Sequence, residues 1–394
     1  MKKLIFIISF ICFSLPAIAR PANECNADKV QYVNPLMGTQ STFELSAGNT
    51  YPAIAMPWGM NFWTPRTAKI GDGWQYTYTK NRIYGFEQTH QPSPWINDYG
   101  QFSIMPVTKR ASWFSHKGET ALPHYYKVYL ASYDIVTELT PTERAAMFRF
   151  TFPQGDSHVV VDAYDQGSHI EVIPAKKMIT GYTTRNSGGV PDNFRNYFVI
   201  EFDKPFEEIA TFVGDTDSLP SLKENALQQT GYRTGAVIGF KTSKGEKVHA
   251  RVASSFISTE QAITNLKELG DDTFDSLVEQ GRARWNSVLG RIDADGETDE
   301  LRTFYSCLYR ALLFPRKLYE ITEEGNAVHY SPYNGKVLPG YIYTDTGFWD
   351  TFRCLFPLLN LVYPSVNAEI QEGLLNTFRE SGFFPEWASP GHRE

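Results

Sequence analysis

The amino-acid sequence predicts a multidomain protein of the α+β class, with an antiparallel β-sandwich first and a helical region after it. The chain has 394 residues, more than one hydrophobic core usually holds, so two domains are the default expectation. Short β-rich segments recur between turn residues as far as about residue 258, without intervening helices. From residue 259 onward, apolar residues repeat with the period of a helix.

The first residues have the pattern of a secretory signal peptide. Lys2 and Lys3 precede an apolar stretch of about a dozen residues, and Ala17-Ile18-Ala19 matches an A-x-A cleavage site. The stretch is too short to span a bilayer permanently, although an uncleaved anchor is the alternative. We therefore predict that residues 1–19 are a signal peptide and that the protein is bacterial and exported, periplasmic or secreted, with no transmembrane segment after cleavage.

Residues 20–258 are predicted to form the sandwich domain. Six segments are rich in β-branched and aromatic residues, and several alternate with a period of two. Clusters of Gly, Asp and Pro separate them and favour turns. The six segments are Met147–Phe152, Val159–Asp162, His169–Ile173, Tyr197–Phe202, Ala236–Phe240 and Val248–Ala253.

The pattern changes at Ser258-Thr259, and residues 259–296 are predicted to be linker helices. One of them has an apolar stripe formed by Phe274, Leu277, Val278, Trp285 and Leu289. Residues 297–394 contain three further predicted helices, with apolar faces that need to be buried. The first carries Phe304, Leu308, Ala311 and Leu312 and ends at Pro315; the others are Asp350–Phe356 and Val366–Ser381. The sequence stops at Glu394 without a closing helix, so we expect that it is a truncated part of a longer protein.

Composition and charge exclude some functions. The chain is 42% hydrophobic and 21% charged, as in ordinary soluble proteins. Its net charge is −7 and it has no basic stripe, so nucleic acid is not an expected partner. Aromatic residues make up 14% of the chain, which indicates either large aromatic cores or flat surfaces for sugar rings. Without the signal peptide, Cys25, Cys307 and Cys354 remain, so at most one disulfide can form within the chain.

Segments rich in Gly and Pro in the first hundred residues are predicted to be loops that carry Trp, His and Asp. Trp95 lies in a proline-restricted loop that would present its indole for stacking on a sugar ring. The alternative is a Trp that closes the end of the sandwich core. His90 and Asp98 are candidates to orient a ligand, although a lone His is often a structural residue. The segments are Val33–Thr39, Gly48–Pro52, Met56–Met60, Gly71–Gln75, Gly85–His90 and Gln91–Gly100.

Two further clusters lie in the helical region. In Tyr343–Arg353, Asp345 and Asp350 are five residues apart where a loop runs into a helix. An Asp in a sugar pocket can accept two hydroxyl hydrogen bonds, and Arg353 can hold that Asp or the sugar. The alternative is an N-cap with a helix salt bridge. The other cluster, Gly382–Trp387 with Gly391–Glu394, is again loop-like and places Trp387 and Glu386 near a helix end.

Together these clusters resemble glycoside hydrolase family 92. The similarity runs in the family's order from about residue 30 to the end, and its later motifs resemble the start of the family's catalytic domain. The motifs that carry it are Asn34–Thr39, Pro57–Met60, Thr89-His90, Asp98–Gly100, Met105-Pro106, Phe348–Arg353 and Gly382–Trp387.

The resemblance implies an N-terminal β-sandwich, linker helices and an (α/α)6 barrel, of which residues 297–394 would be the first part. It also implies a calcium-dependent, inverting exo-α-mannosidase that removes terminal α-mannose from mannose-containing glycans. The substrate-binding residues that it suggests are Trp95, Asp350 and Arg353, with His90, Asp98, Trp349 and Glu386 as further candidates.

Catalysis with inversion needs two carboxyl groups about 6.5–9.5 Å apart. The resemblance places both groups, and most calcium ligands, beyond Glu394. We therefore assign no catalytic residue and expect this chain alone to be inactive. One alternative is a non-catalytic carbohydrate-binding protein that retains the sandwich and part of the pocket; another is a glycosidase of a different helical-barrel family.

Overall fold

The computed structural model describes residues 28–44, 48–107, 111–215 and 221–393. The predicted signal peptide and Cys25 lie outside these residues. A β-sandwich is followed by a helical region, as the sequence predicts. Within the described ranges, no helix is both long enough and apolar enough to cross a membrane.

Eighteen strands precede the first α-helix in the described part of the chain. In chain order they are β1 (Phe62–Arg66), β2 (Arg82–Ile83), β3 (Gly85–Thr89), β4 (Phe102–Met105), β5 (Ser112–Trp113), β6 (Glu119–Leu122), β7 (Tyr125–Leu130), β8 (Ile135–Pro141), β9 (Ala145–Phe152), β10 (Gly155–Asp162), β11 (Ser168–Ile173), β12 (Met178–Thr183), β13 (Asn196–Phe202), β14 (Glu208–Gly214), β15 (Ser221–Glu224), β16 (Gln228–Gly231), β17 (Arg233–Thr242) and β18 (Glu246–Ser255). All six segments predicted as strands lie within these elements.

Two antiparallel sheets form the sandwich. One has seven strands in the order β1-β3-β4-β10-β17-β14-β15, and the other has nine in the order β16-β11-β12-β13-β18-β9-β8-β7-β6. Aromatic rings join their inner faces: Phe102 stacks on Phe198 with ring centres 4.4 Å apart, and Trp63 meets Phe148 at 5.0 Å. Each pair has one residue in either sheet, so this layer is the core of the domain.

The prediction that Gly85–His90 forms a loop is wrong. Gly85–Thr89 forms β3, which is buried along its whole length and pairs with β1 and β4. Its buried Glu87 forms an ion pair with Arg66 at 3.2 Å. Because polar side chains are buried here as well, the strand lacks the apolar–polar alternation that reveals a half-buried strand.

The helical region contains six α-helices and several short strands among its described residues. The helices are α1 (Thr259–Leu266), α2 (Phe274–Leu289), α3 (Thr298–Ala311), α4 (Phe348–Thr351), α5 (Leu355–Val362) and α6 (Pro364–Ser381). The strands are β19 (Arg316–Lys317), β20 (Tyr319–Ile321), β21 (Ala327–Tyr330), β22 (Val337–Pro339), β23 (Tyr343–Thr344), β24 (Thr346–Gly347), β25 (Trp387–Ser389) and β26 (His392–Arg393). Single 3-10 turns lie at Lys29–Tyr32, His116–Gly118, Pro174–Lys176 and Lys267–Leu269. The described residues include no closed barrel.

Helix starts follow the sequence closely. Ser258 and Thr273 cap α1 and α2, since each hydroxyl accepts a hydrogen bond from a backbone N–H in the first turn.

The predicted helix Asp350–Phe356 is instead two helices, α4 and α5, separated by three residues. The Thr351 hydroxyl donates to the Gly347 carbonyl oxygen at 2.8 Å. Such a bond to the carbonyl four residues earlier favours a bend.

The predicted apolar stripe of α2 packs on the sandwich. Trp285 is fully buried, and its indole nitrogen donates to the Ala55 carbonyl oxygen at 2.8 Å. At Gly281, an added Cβ would lie 2.9 Å from the Cβ of His124. The helix therefore approaches the sandwich closely, and its position fixes where the following helices start.

We predict that the protein loses stability in acid, because His124 is buried. Burial, with nearby Arg282, lowers its pKa from 6.5 to about 4, although Asp28 acts in the opposite direction. The unfolded chain takes up this proton near pH 6.5, whereas the folded chain does so only near pH 4. The free energy of unfolding should therefore fall by about 3 kcal/mol as the pH drops through this window.

Denaturant unfolding between pH 6.5 and pH 4 tests this expectation. His124→Asn should lose that part of the pH dependence, because asparagine does not titrate. Ile170→Val is the control, because it alters no titrating group. Its loss of stability relative to the native chain should be the same at every pH in this range. An unchanged slope in His124→Asn would contradict the assignment.

Candidate functional site

The segment Tyr343–Arg353 leads from β23 into α4 and places three predicted site residues at the surface. Trp349 is 64% exposed, and Asp350 and Arg353 are also exposed. Gly347, not Asp350, precedes the first helical turn, and the Arg353 guanidinium lies over the Phe352 ring. Asp350 is therefore not the N-cap of this helix, and its carboxylate is open to a ligand.

Asp345 occupies the opposite environment, in the interior. One carboxylate oxygen accepts hydrogen bonds from the Tyr99 hydroxyl and the Arg316 Nε, both at 2.8 Å. The other oxygen accepts from the Ser389 hydroxyl at 2.8 Å. Burial raises the pKa of Asp345 to about 6, against the lowering effect of Arg316. The carboxylate is thus used within the protein and does not face a ligand.

His90 and Asp98, two predicted ligand residues, lie behind the surface. The His90 ring nitrogens lie 2.7 Å from the Tyr99 carbonyl oxygen and 3.0 Å from the Asn61 side-chain oxygen. Burial holds the pKa of His90 well below its usual value. Both residues are buried, and the structure does not present either to a ligand.

The Asp98 carboxylate organises the loop around it. One oxygen accepts from the backbone N–H groups of His90 and Tyr99, at 2.8 and 2.7 Å. The other accepts from Thr89 and from Gln75, the latter at 2.7 Å. The sequence analysis proposed Asp98 as a residue that orients a ligand, whereas these hydrogen bonds hold the loop that carries Trp95.

Trp95 projects from that loop and is 60% exposed. Its ring meets Trp74 edge-on with centres 5.3 Å apart, and Phe43 lies 6.1 Å away. A Trp that closes the sandwich core would be buried, so the structure does not support that alternative. The sequence analysis did not select Phe43 or Trp74, although Trp74 lies in one of the Gly-rich segments.

A cleft of about 520 Å³ adjoins this aromatic cluster. Aromatic rings and both signs of charge line it, a combination that suits a polar ligand with flat apolar faces. Its lining includes Phe43, Trp74, Asp72, Lys69, Lys80 and Arg82.

Glu386, the remaining predicted site residue, is exposed next to α4. Its carbonyl oxygen accepts the Phe348 N–H at 2.7 Å, and Gly347 pairs with Trp387 in the sheet β24-β25-β26. The structure therefore brings Glu386 close to the segment of Asp350. We refer to residues 90–99, 346–353 and 386–389 as the three site segments.

A metal centre is not evident in this site. Within residues 28–393, apart from the undescribed gaps, no group of three or more His, Cys, Asp or Glu side chains is arranged to hold a metal ion. The described carboxylates therefore do not by themselves form a calcium site, which would need carbonyl oxygens or further residues as ligands. Cys307 and Cys354 are both exposed and unbonded.

The sequence matches two adjoining domains of one enzyme family. Residues 32–255 match the glycosyl hydrolase family 92 N-terminal domain, and residues 261–394 match the glycosyl hydrolase family 92 catalytic domain. The chain belongs to glycosyl hydrolase family 92. The first match covers the strands of the sandwich, and the second covers the helical region from residue 261 onward.

Solved structures of family 92 enzymes share this fold. An inverting mannosidase of Bacteroides thetaiotaomicron VPI-5482 is 51% identical and superposes with a TM-score of 0.89, covering 93% of this chain and 50% of that one. An α-mannosidase of Bacteroides thetaiotaomicron is 28% identical, with a TM-score of 0.80, covering 93% of this chain and 52% of that one. This chain thus spans about half the length of both enzymes.

A curated relative from the fungus Arthroderma benhamiae is described as an uncharacterized secreted glycosidase. It is 23% identical over 342 residues, which cover 76% of this chain and 43% of the relative. This chain therefore spans less than half of that relative as well.

Proposed function

We propose that this chain is the N-terminal part of an exported, inverting exo-α-mannosidase and that its described residues form a wall of the mannose-binding pocket. The observation that carries the proposal is the 51% identity to an inverting mannosidase over 93% of the chain. It is supported by the exposed Asp350, on the helix α4 that also carries Trp349, and by the exposed Arg353 just after that helix. The backbone of Glu386 is bonded to the start of the same helix.

These side chains suit the recognition of a sugar. A carboxylate such as Asp350 accepts hydrogen bonds from two adjacent hydroxyl groups, and a guanidinium such as Arg353 donates to sugar oxygens. The exposed rings of Trp95 and Trp349 offer flat faces for the apolar side of a pyranose. The role of all four residues in this proposal is to bind and orient the terminal mannose.

Proton transfer has no assigned residue in this proposal. Inversion requires an acid and a base about 6.5–9.5 Å apart with a water between them. We place both in the part of the longer enzyme that this chain does not include. The support is that the chain spans about half of the inverting mannosidase that it resembles.

The helical region also has apolar surface that a larger domain would cover. Large exposed apolar side chains lie along α4 to α6 and just beyond, and several such side chains in one region are typical of an interaction surface. They are Trp349 at 64%, Phe352 at 53%, Leu361 at 81%, Leu375 at 46%, Phe378 at 43% and Phe384 at 58% exposure. We propose that further helices of the same barrel pack against them.

Calcium and export complete the proposal. Calcium dependence follows from the family resemblance, with at most a minor share of the ligands in this chain. Export is supported by the signal-peptide pattern of residues 1–19. A mature N-terminus at Arg20, read from protein recovered outside the cytoplasm, would support it; an intact Met1 would contradict it.

Calorimetric titration with methyl α-mannoside tests the binding wall. We expect the purified chain to bind it in preference to methyl α-glucoside, and Asp350→Ala to lower affinity at least tenfold. The reason is that hydrogen bonds to a charged group contribute about 1.5–3 kcal/mol. Without the acid and the base, the chain should not hydrolyse p-nitrophenyl α-mannoside. An excess of chelator should change the affinity little.

Asp299→Ala is a matched control. Asp299 is exposed on a helix and has an Arg three residues later, as Asp350 does, but it lies on α3 and outside the three site segments. We expect this variant to bind like the native chain. A folded chain that binds no mannoside would overturn the proposal, and hydrolysis abolished by Asp350→Ala would refute the placement of the acid and base.

A further inference from the structure

We propose that Asp345 is a positioning residue whose carboxylate holds the three site segments in one arrangement. This inference rests on the proposed function, because it concerns how that binding wall is kept in place. Asp345 itself is fully buried and does not touch the ligand.

One carboxylate joins all three segments. Tyr99, which donates to it, ends the segment that carries Trp95, and Ser389, which also donates, ends the segment of Glu386. Asp345 lies immediately before the segment of Asp350. The two donors are 246 and 44 residues away in the sequence, so no local chain geometry would bring these groups together.

Arg316 fixes this junction to the sandwich. Its Nη1 donates to the carbonyl oxygens of Met60 and Thr89, at 3.3 and 3.1 Å, and its guanidinium lies over the Phe62 ring. Its Nε donates to Asp345 at 2.8 Å. Because Arg316 is fully buried, the carboxylate has a fixed position relative to the sandwich.

The backbone of Asp345 supports a role for its side chain. Its φ is +60°, in the left-handed region that favours glycine. This turn redirects the chain from β23 into β24 and α4. Glycine would suit the backbone better, and three side-chain hydrogen bonds account for an aspartate in its place.

A purely structural buried aspartate is the competing interpretation, and the chain offers a matched example. Asp162 is buried and accepts hydrogen bonds from the Arg233 guanidinium. This pair joins the adjacent strands β10 and β17 of one sheet, and the hydrogen bonds described for its two side chains go to residues outside the three site segments. Asp162→Asn should therefore lower stability without disturbing the binding wall.

Hydrogen–deuterium exchange, followed by mass spectrometry on the full chain, tests the proposal. In Asp345→Asn, and equally in Asp345→Gly, we expect amides of the other two segments, 90–99 and 386–389, to exchange about tenfold faster together with those of 346–353. The affinity for methyl α-mannoside should fall at least fivefold. The control Asp162→Asn is compared with the Asp345 variants at a denaturant concentration that gives the same unfolded fraction. It should leave unchanged both the exchange rates of the three site segments and the affinity for methyl α-mannoside.

Two outcomes would overturn the positioning role. One is faster exchange confined to residues next to position 345, and the other is the same exchange pattern in Asp162→Asn. If Asp345→Gly, which relieves the backbone, retained native exchange, the carboxylate would not be the holding group. Exchange needs no ligand, so a native chain that fails to bind mannoside would refute the proposed function while exchange still decides this inference.

Discussion

Arg316→Met is expected to lower the free energy of unfolding by about 3–5 kcal/mol, the usual loss when one partner of a buried ion pair is removed. Methionine can fill the aliphatic part of the site and retain contact with Phe62. It leaves the Asp345 carboxylate buried without its cation, and the carbonyl oxygens of Met60 and Thr89 lose a donor. The loss should be larger at pH 8 than at pH 5, because the pKa of Asp345 is already raised to about 6.

The sign of that pH effect follows from linkage. A carboxyl whose folded pKa is raised stabilises the fold below its unfolded pKa, and that contribution is lost as the pH rises through the folded value. Removing Arg316 raises the pKa of Asp345 further, since the guanidinium is the main group that lowers it. Above about pH 6, where the native carboxyl ionises, the variant has either to keep Asp345 protonated, at a cost that grows with pH, or to bury an unpaired charge.

Guanidinium unfolding of four variants checks the prediction: Arg316→Met, Asp345→Asn, the two combined, and a control. The double variant Arg316→Met with Asp345→Asn should recover part of the loss, because residues in direct contact are not additive. Arg302→Met is the control: Arg302 is exposed on α3 and pairs with Asp299, so the change should stay within about 0.5 kcal/mol. A strictly additive double variant would mean that the pair is not coupled.

The elements that the sequence predicted correctly are those with a local physical signal. The strand Val248–Ala253 alternates with a period of two along one buried face, and Ser258 caps α1 as a serine before a helical repeat should. The stripe of α2 is buried where the period indicates, at Phe274, Leu277 and Trp285. These features depend on residues close in sequence, so no knowledge of the tertiary structure was required.

The errors concern contacts between residues far apart. The sequence did not predict β3, because neighbouring strands bury its polar side chains. The ion pair between its Glu87 and Arg66 cannot be inferred from the segment alone. Asp345 and Asp350 look alike in the sequence, both acidic and close to a helix start. Only the distant Tyr99, Arg316 and Ser389 make one internal and leave the other exposed.

The attachment of the helical region to the sandwich depends strongly on Trp285. We expect Trp285→Ala to lower the free energy of unfolding by about 3–5 kcal/mol, the range for truncating a large aromatic side chain in a core. The indole is fully buried, its ring centre lies 5.2 Å from that of Tyr309, and it donates to Ala55 across the boundary. Its removal leaves a cavity and an unpaired carbonyl oxygen between α2, α3 and the sandwich.

Two further variants separate the contributions of packing and hydrogen bonding at this position. Trp285→Phe keeps most of the ring but leaves the Ala55 carbonyl oxygen unpaired, which should cost about 1–3 kcal/mol. Trp113→Ala removes an indole that is 48% exposed and stacked on Arg82, and should cost less than about 1 kcal/mol. Unfolding is followed by circular dichroism, since these changes alter the tryptophan fluorescence. If Trp285→Ala cost no more than Trp113→Ala, the helices would have to be attached mainly by other contacts, such as the bond from the Tyr309 hydroxyl to Ala53.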